Sequence, residues 1–380
     1  MRLRDAEGRL AHLSYCTNVH PAEDLDGIIA QCDTYALAVR ERLGTDVLAL
    51  GLWLAAPVAA ELAANQAKRR RLRRELDLRG LEVVTLNGFP YQAFHAPVVK
   101  HAVYQPDWTT PDRLTYTVHL ATILADLLPE DAARGSVSTL PLAWRAPWNA
   151  IRAQRCRQGL DQLAAELAAL HKRTGRVIRV GFEPEPGCVV ETTAQAVELL
   201  SGVDTRWLGL CLDLAHLACS WEDPSTALAA LRTAELPIVK VQISVALATD
   251  TPAADAESIR RYVEPRFLHQ TRNCFGEGAD DVDEAIRDGL RGPWRIHYHV
   301  PLHAAPAAPL RTTVPVLLDA LRSLLTEGDG CDHFDVETYT WNVLPRDHRP
   351  ETPAQLAAGI AAELAFARAE LTALGLGEVQ

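Results

Sequence analysis

A single (β/α)8 barrel is the fold this sequence predicts, and three observations point to it. Eight or nine strand-length apolar runs alternate with helical segments along the 380 residues, a pattern that calls for a parallel sheet. No Pro-rich, Gly-rich or charged break marks a linker, so the repeat belongs to one domain large enough to close on itself. No glycine-rich phosphate fingerprint follows the first strand, which argues against an open dinucleotide-binding sheet.

The elements follow in order. Leu13-Ser-Tyr-Cys-Thr-Asn18-Val-His20 reads as a short strand with a polar end, stopped by Pro21. An Ala- and Leu-rich helix is expected over 25–43. The continuous apolar run 47–54 has the length and composition of a strand buried on both faces. A helix over 59–78 precedes Gly80, a plausible terminator. The strand 81–86 delivers Asn87-Gly-Phe-Pro-Tyr91 at its end. A helix over 112–128, a weaker strand near 136–141 and a long helix from Pro147 to about 173 come next. The run 177–183 ends in Glu183-Pro-Glu185-Pro-Gly187, where two prolines stop the strand. Read alone, these two acids fit a solvated loop as well as a site. A helix over 193–200 leads to the apolar run 207–213, which ends in Asp213 with His216 three residues on. The run 238–244 carries Gln242. A polar insertion over 249–283 is long enough to serve as a cap over a site. The segment 294–303 alternates His297, His299 and His303, and its register leaves open which of them points inward. A helix over 313–325, the run 334–341 with Glu337, and a helix over 353–374 close the chain.

Composition narrows the function. The net charge of −11 forgoes the general attraction to phosphate that nucleic-acid binding uses, so no nucleic-acid partner is expected. The basic run 68–74 is punctuated by Leu72 and Leu76 and reads as the solvated face of its helix. The eight cysteines show no C-x-x-C spacing, which suits reduced thiols in a cytoplasmic protein. The amino terminus has no apolar signal region, and the most apolar stretch, 47–60, is short for a membrane span and contains Pro57.

In a barrel the carboxyl ends of the strands converge on one face. Glu183, Asp213, Gln242, His297 or His299, and Glu337 would then share one pocket. Carboxylate, imidazole and amide oxygen donors suit Mn²⁺, Mg²⁺, Co²⁺ or Zn²⁺, and the imidazoles favour a transition metal.

These motifs resemble those of the xylose-isomerase-like TIM-barrel superfamily of sugar isomerases, epimerases and endonuclease IV-type enzymes. Glu183-Pro-Glu185-Pro is similar to the Glu-Pro-Lys-Pro of xylose isomerases, whose Glu binds metal. Leu212-Asp213-Leu-Ala-His216 and Arg295-Ile-His297-Tyr-His299 resemble metal-binding segments of the endonuclease and epimerase branches. Val336-Glu337-Thr338 resembles the last-strand segment whose Glu bridges metals or acts as base. Over nearly the whole chain, Tyr15-Cys-Thr-Asn-Val-His-Pro21, Asn87-Gly-Phe-Pro-Tyr91, His297-Tyr-His-Val-Pro301 and Glu337-Thr-Tyr-Thr-Trp341 look like EboE-type metabolite traffic proteins. Two positions depart from the superfamily. Gln242 stands where a His is usual, and Glu185 stands where xylose isomerases place a Lys. One metal rather than a cluster is therefore expected.

The resemblance implies a metal-dependent isomerase or epimerase acting on a small sugar-like or cyclitol-like metabolite. Glu183 and Glu337 would move the proton beside a metal-polarised carbonyl, and Glu183, Asp213, His216, Gln242, His297, His299 and Glu337 would hold the metal. Asn18, His20, Asn87, Tyr91 and Glu185 would bind substrate, with Trp341 or Trp53 as a flat wall. A non-catalytic traffic protein is the alternative, and an endonuclease IV-like phosphodiesterase a further one. The only partner expected is a small polar metabolite; an oligomer is compatible with the sequence.

Overall fold

The computed structural model describes residues 1–326 and 330–379. Its centre is a closed barrel of eight parallel strands: β1 Leu10–Cys16, β2 Leu48–Trp53, β3 Leu81–Asn87, β4 Gly135–Thr139, β5 Ile178–Phe182, β6 Leu208–Asp213, β7 Ile238–Ile243 and β8 His333–Val336. Closure comes from β8, which pairs in parallel with β7 (Asp335 beside Gln242) and with β1 (Asp335 beside Ser14). Closing the sheet leaves no barrel edge unpaired. Arg2–Arg4 and Gly377–Glu378 add a short antiparallel extension below β1.

The helices pack outside this barrel, with local chemistry setting their bounds. The helix expected over 25–43 is continuous from Leu25–Gln31 to Leu37–Leu43 but carries a π turn at Cys32–Ala36, and Gly44 ends it at φ 63°. The helix expected over 59–78 is two, Ala56–Ala64 and Gln66–Asp77. They break at Asn65, whose extended backbone frees its side chain to cap the second helix through Lys68 N. On that second helix Leu72 and Leu76 are buried. Arg69 pairs with Asp126 and Arg71 with Asp26, both at 2.6 Å. Among the described residues no helix is long and apolar enough to cross a membrane. The eight cysteines are unpaired thiols.

One part of the strand pattern has a different architecture from the one expected. The His297 strand, Trp294–His299, is not a wall of the barrel. It is the centre of a second, five-stranded antiparallel sheet that also contains Ala246–Thr249, Thr271–Asn273, Gly278–Ala279 and Arg311–Thr312. This sheet occupies the connection between β7 and β8, so the inserted structure runs from Ala246 to Thr312, beyond the 249–283 expected. The physical reason is the connection. A parallel barrel neighbour requires a crossover helix, but only the five-residue Ala256–Arg260 and six-residue Val282–Arg287 helices lie between β7 and Trp294.

Candidate active site

Six barrel strands (β1, β3, β5, β6, β7 and β8) and the inserted sheet bring the site together. Asp213 ends β6 and caps the helix Leu214–Cys219 by accepting from His216 N at 2.9 Å, which places His216 one turn beyond it. Ser244 Oγ holds the same carboxylate at 2.8 Å. Pro184 and Pro186 lack N–H groups but offer carbonyls. Pro184 O accepts from His216 Nδ1 at 2.8 Å, and Pro186 O from Gln270 Nε2 at 2.8 Å. Glu337 follows β8, with its Oε1 receiving Asn18 Nδ2 at 2.6 Å and Asn87 Nδ2 at 2.9 Å.

The tautomers of the three histidines follow from what they face. A carbonyl oxygen only accepts, so His216 Nδ1 donates to Pro184 O, and His299 Nδ1 donates to Glu337 O at 2.9 Å. Gln270 uses its amide nitrogen on Pro186 O, so its oxygen receives His297 Nδ1 at 2.8 Å. Each neutral imidazole therefore carries its proton on Nδ1 and leaves Nε2 bare, the arrangement that carbonyl partners impose on metal-binding histidines.

Three groups of donors have their ligand atoms within 4.8 Å of one another: His216, His297 and His299; Glu183, Asp213 and His216; and Asp213, His299 and Glu337. Glu183 Oε2 and His299 Nε2 are buried without a hydrogen-bond partner. Orphaned acceptors of this kind, in a mixed carboxylate and imidazole set, fit a divalent cation. The one-metal expectation stands beside a donor set that is wider, since the three-imidazole group extends past the carboxylates.

Electrostatics separate the groups. Burial, reinforced by Glu337, Asp213 and Glu185, raises the Glu183 carboxyl well above its ordinary value. Burial and Asp213 bring Glu337 to about 7, and burial brings Glu185 to about 7 against the pull of His216 and Tyr104. Burial also pushes Asp213 up, but the His216 and His299 imidazoles and the His216 N–H outweigh it and hold it below its ordinary value. For His216 burial is outweighed by Asp213 and Glu185, which raise it. Burial lowers His299 to about 4, and burial, reinforced by His216, holds His297 well below its ordinary value.

A family described as "Xylose isomerase-like TIM barrel" matches residues 38–288. The chain belongs to this family. No curated protein sequence matches it. Among solved structures this xylose isomerase-like barrel is similar to a Mycobacterium smegmatis xylose isomerase-like TIM barrel protein in complex with magnesium, at 14% identity and TM-score 0.55, covering 95% of this chain and 98% of that one. It is similar to D-allulose 3-epimerase from a Methylomonas species, at 13% identity and TM-score 0.53, covering 98% and 100%. D-Psicose 3-epimerase from Clostridium cellulolyticum, solved with D-tagatose, matches at 13% identity and TM-score 0.51, covering 95% and 99%. At these identities the likeness concerns the fold.

In this xylose isomerase-like barrel, Asn18, Glu183, Glu185, His216, His297, His299 and Glu337 line one pocket of about 490 Å³, its open mouth included. Asp213, Gln242 and Asn87 support it from below through the carboxylates. Gln242, expected to offer its amide oxygen, presents its nitrogen instead. Nε2 donates to Glu183 Oε1 at 2.6 Å, to Asp213 Oδ2 at 3.3 Å and closely to Glu337 Oε2, because three converging carboxylates demand a donor. Three expected substrate residues lie elsewhere. His20 stacks on Tyr35 at 4.1 Å between ring centroids, Tyr91 packs edge-on to Tyr116 at 5.1 Å, and Trp341 donates to Glu363 at 3.1 Å. Trp53 is tied to Pro90 O, and His303 stacks on Trp341 outside the pocket.

Tyr104, Gln270 and Tyr339 escape sequence reasoning. Tyr104 OH donates to Glu185 Oε1 at 2.9 Å and receives Gln270 Nε2 at 2.7 Å, while Tyr339 packs on His299 at 4.8 Å between centroids. Only Tyr339, two residues past Glu337, had a signal. One layer down, Lys240 pairs with Asp335 at 2.7 Å, and Asp335 also receives Ser14 Oγ at 2.6 Å.

Proposed function

We propose that this chain is an isomerase or epimerase that shifts a proton at a carbon beside the carbonyl of a small hydroxylated substrate. The observation that carries this reading is the unequal treatment of two carboxylates in one pocket. Both oxygens of Glu337 are held, Oε1 by Asn18 and Asn87 and Oε2 by Gln242. Glu183 is held at Oε1 only, leaving Oε2 buried and free.

Glu183 Oε2 is therefore the atom available to take the substrate proton and to give it back, while Glu337, with both oxygens held by donors, is the fixed second carboxylate beside it. Asp213, His216, His299 and Glu337 would hold a divalent cation, with His297 completing the imidazole side and Glu183 Oε2 left for the proton. When bound, such a cation polarises a substrate carbonyl and offsets the crowded negative charge. Tyr104 and Gln270 keep Glu185 and His297 oriented, and Phe267 and Leu268 of the insertion line one side of the pocket. The solved structures it resembles include a D-allulose 3-epimerase and a D-psicose 3-epimerase, which supports this class of reaction.

The test is deuterium exchange. The full chain supplied with Mn²⁺ is incubated with ketoses in D2O, and label at the carbon beside the carbonyl is read by NMR. Wild type is expected to exchange it, and Glu183→Gln to slow exchange by roughly 10²–10⁴-fold, the range of general base catalysis. Sugar binding without exchange in wild type would replace the enzyme reading with that of a binding and traffic protein.

A further inference from the structure

We propose that Glu363 is a positioning residue: from the C-terminal helix Pro353–Ala373 it holds the segment that carries His299 and the loop that carries Glu337 at one fixed separation. This rests on the reading of the pocket as a cation site and adds a residue that acts on the pocket without lining it. His299 belongs to the inserted sheet, whereas Glu337 follows the last barrel strand. They meet through His299 Nδ1, which donates to Glu337 O at 2.9 Å, and through Thr340 Oγ1, which donates to His299 O. Beyond these bonds both segments run to Glu363. Its Oε1 accepts from Leu302 N at 3.1 Å, three residues past His299, and from Thr338 Oγ1 at 2.6 Å, next to Glu337. Its Oε2 accepts from Trp341 Nε1 at 3.1 Å.

The helix is shaped to receive this loop. Glu363 is 1% exposed, on a helix face otherwise made of Leu356, Ile360, Ala367 and Leu371. A carboxylate in such surroundings costs stability that an apolar side chain would not, so packing alone does not account for it. Gly359 stands one turn earlier on the same face. A Cβ there would lie 2.5 Å from Trp341 Cη2, so the missing side chain lets the indole reach Glu363. The shared oxygen is the decisive part. One acceptor that takes both Leu302 N–H and Thr338 O–H leaves the two segments little freedom to move apart. A cation drawing ligands from both segments depends on that constancy, because the groups that orient metal ligands govern affinity.

The test is Co²⁺ titration of the metal-free full chain, read in the visible bands of the ion, which report its ligand geometry. Wild type is expected to bind, and Glu363→Ala to bind about tenfold more weakly with altered bands, as loss of a group that orients metal ligands does. Glu363→Gln keeps an oxygen for Leu302 and Thr338 and should stay close to wild type. Should Glu363→Ala fail to fold, Thr338→Val, which removes one end of the bridge, is expected to weaken Co²⁺ in the same direction. A second readout needs no metal. In ¹⁵N-histidine NMR of the metal-free chain, the Nδ1–H signal of His299 should be lost or shifted in Glu363→Ala, while that of His216, held by Pro184 O, is kept. An unchanged His299 signal, Co²⁺ binding indifferent to Glu363→Ala and Thr338→Val, or a loss in Glu363→Gln as large as in Glu363→Ala overturns the proposal. Failure of the cation reading looks different: wild type would take up no Co²⁺, with the His299 signal still dependent on Glu363.

Discussion

His216 and His297 meet Nε2 to Nε2 at 2.9 Å, across the seam between the barrel and the sheet inserted between its last two strands. Both rings spend their Nδ1 protons on oxygen acceptors, so two lone pairs face each other. A proton or a cation must lie between them. Without a cation the proton belongs on His216, which Asp213 and Glu185 raise, and Glu185 Oε2 lies 3.1 Å from the same nitrogen.

A cation shared at this seam would tie the inserted sheet to the barrel. Saturating Mn²⁺ or Zn²⁺ at about 100 times Kd is expected to stabilise the chain by about 2.7 kcal/mol. The gain should vanish with a chelator and in His216→Ala/His297→Ala. Thermal denaturation with and without metal checks this, and an unchanged midpoint in wild type would count against the site.

Beneath the pocket, Gly51 makes room for Asp335: a Cβ at position 51 would lie 2.1 Å from its carboxylate. Gly51→Ala is expected to push Asp335 away from Lys240 and to cost about 3 kcal/mol, combining overpacking with damage to a buried ion pair. Gly159→Ala, in the helix Ala150–Thr174, meets only ordinary contacts at 3.6 Å and should be neutral or stabilising by up to about 1 kcal/mol. Urea denaturation of the two variants side by side distinguishes a specific clash from general sensitivity to added methyl groups.

Glu82 sets an acid limit on stability. Burial pushes its carboxyl up, but hydrogen bonds from His12 and Arg2 outweigh this and hold it at about 2, below its ordinary 4.5. Its folded value is depressed, so its contribution is complete above about 4.5 and is lost as pH falls towards 2. The amount is on the order of 3 kcal/mol. Denaturation midpoints between pH 5 and 2.5 should fall steeply in wild type and less so in Glu82→Gln. Parallel curves would show that other carboxylates govern acid unfolding.

Glu363 has the opposite sign. Burial raises it to about 7, only partly opposed by Thr338, the Leu302 N–H and Trp341. With its folded value raised, its contribution is complete below about 4.5 and is lost as pH rises through 7. Wild type should therefore lose stability between pH 5 and 7.5 through this group, and Glu363→Gln should flatten that part of the profile. A slope unchanged in the variant would assign the loss to another residue.

The barrel was legible because its signals are local. Apolar runs 47–54, 81–86 and 207–213 have strand length, and helices carry their own caps, Thr192 with Gln195 ahead of 193–200 and Thr352 with Gln355 ahead of the last helix. Strand ends fall on one face of a barrel by geometry, so Glu183, Asp213 and Glu337 could be grouped before any contact was known. Local signals stop at sheet membership. The alternation in 294–299 specifies a strand, but its partners, 246–249 and 271–273, are chosen by tertiary pairing. Facing is decided at the same level. His20, Tyr91 and Trp341 sit in motifs beside pocket residues, yet a residue or two of backbone turn directs them to Tyr35, Tyr116 and Glu363 instead. Tyr104 and Gln270 are separated by 166 positions and joined by one hydrogen bond. Sequence periodicity reports which face of an element is apolar, and by itself it determined the barrel and its acidic mouth. Only the tertiary structure could bring distant loops together and orient each imidazole through its Nδ1 partner.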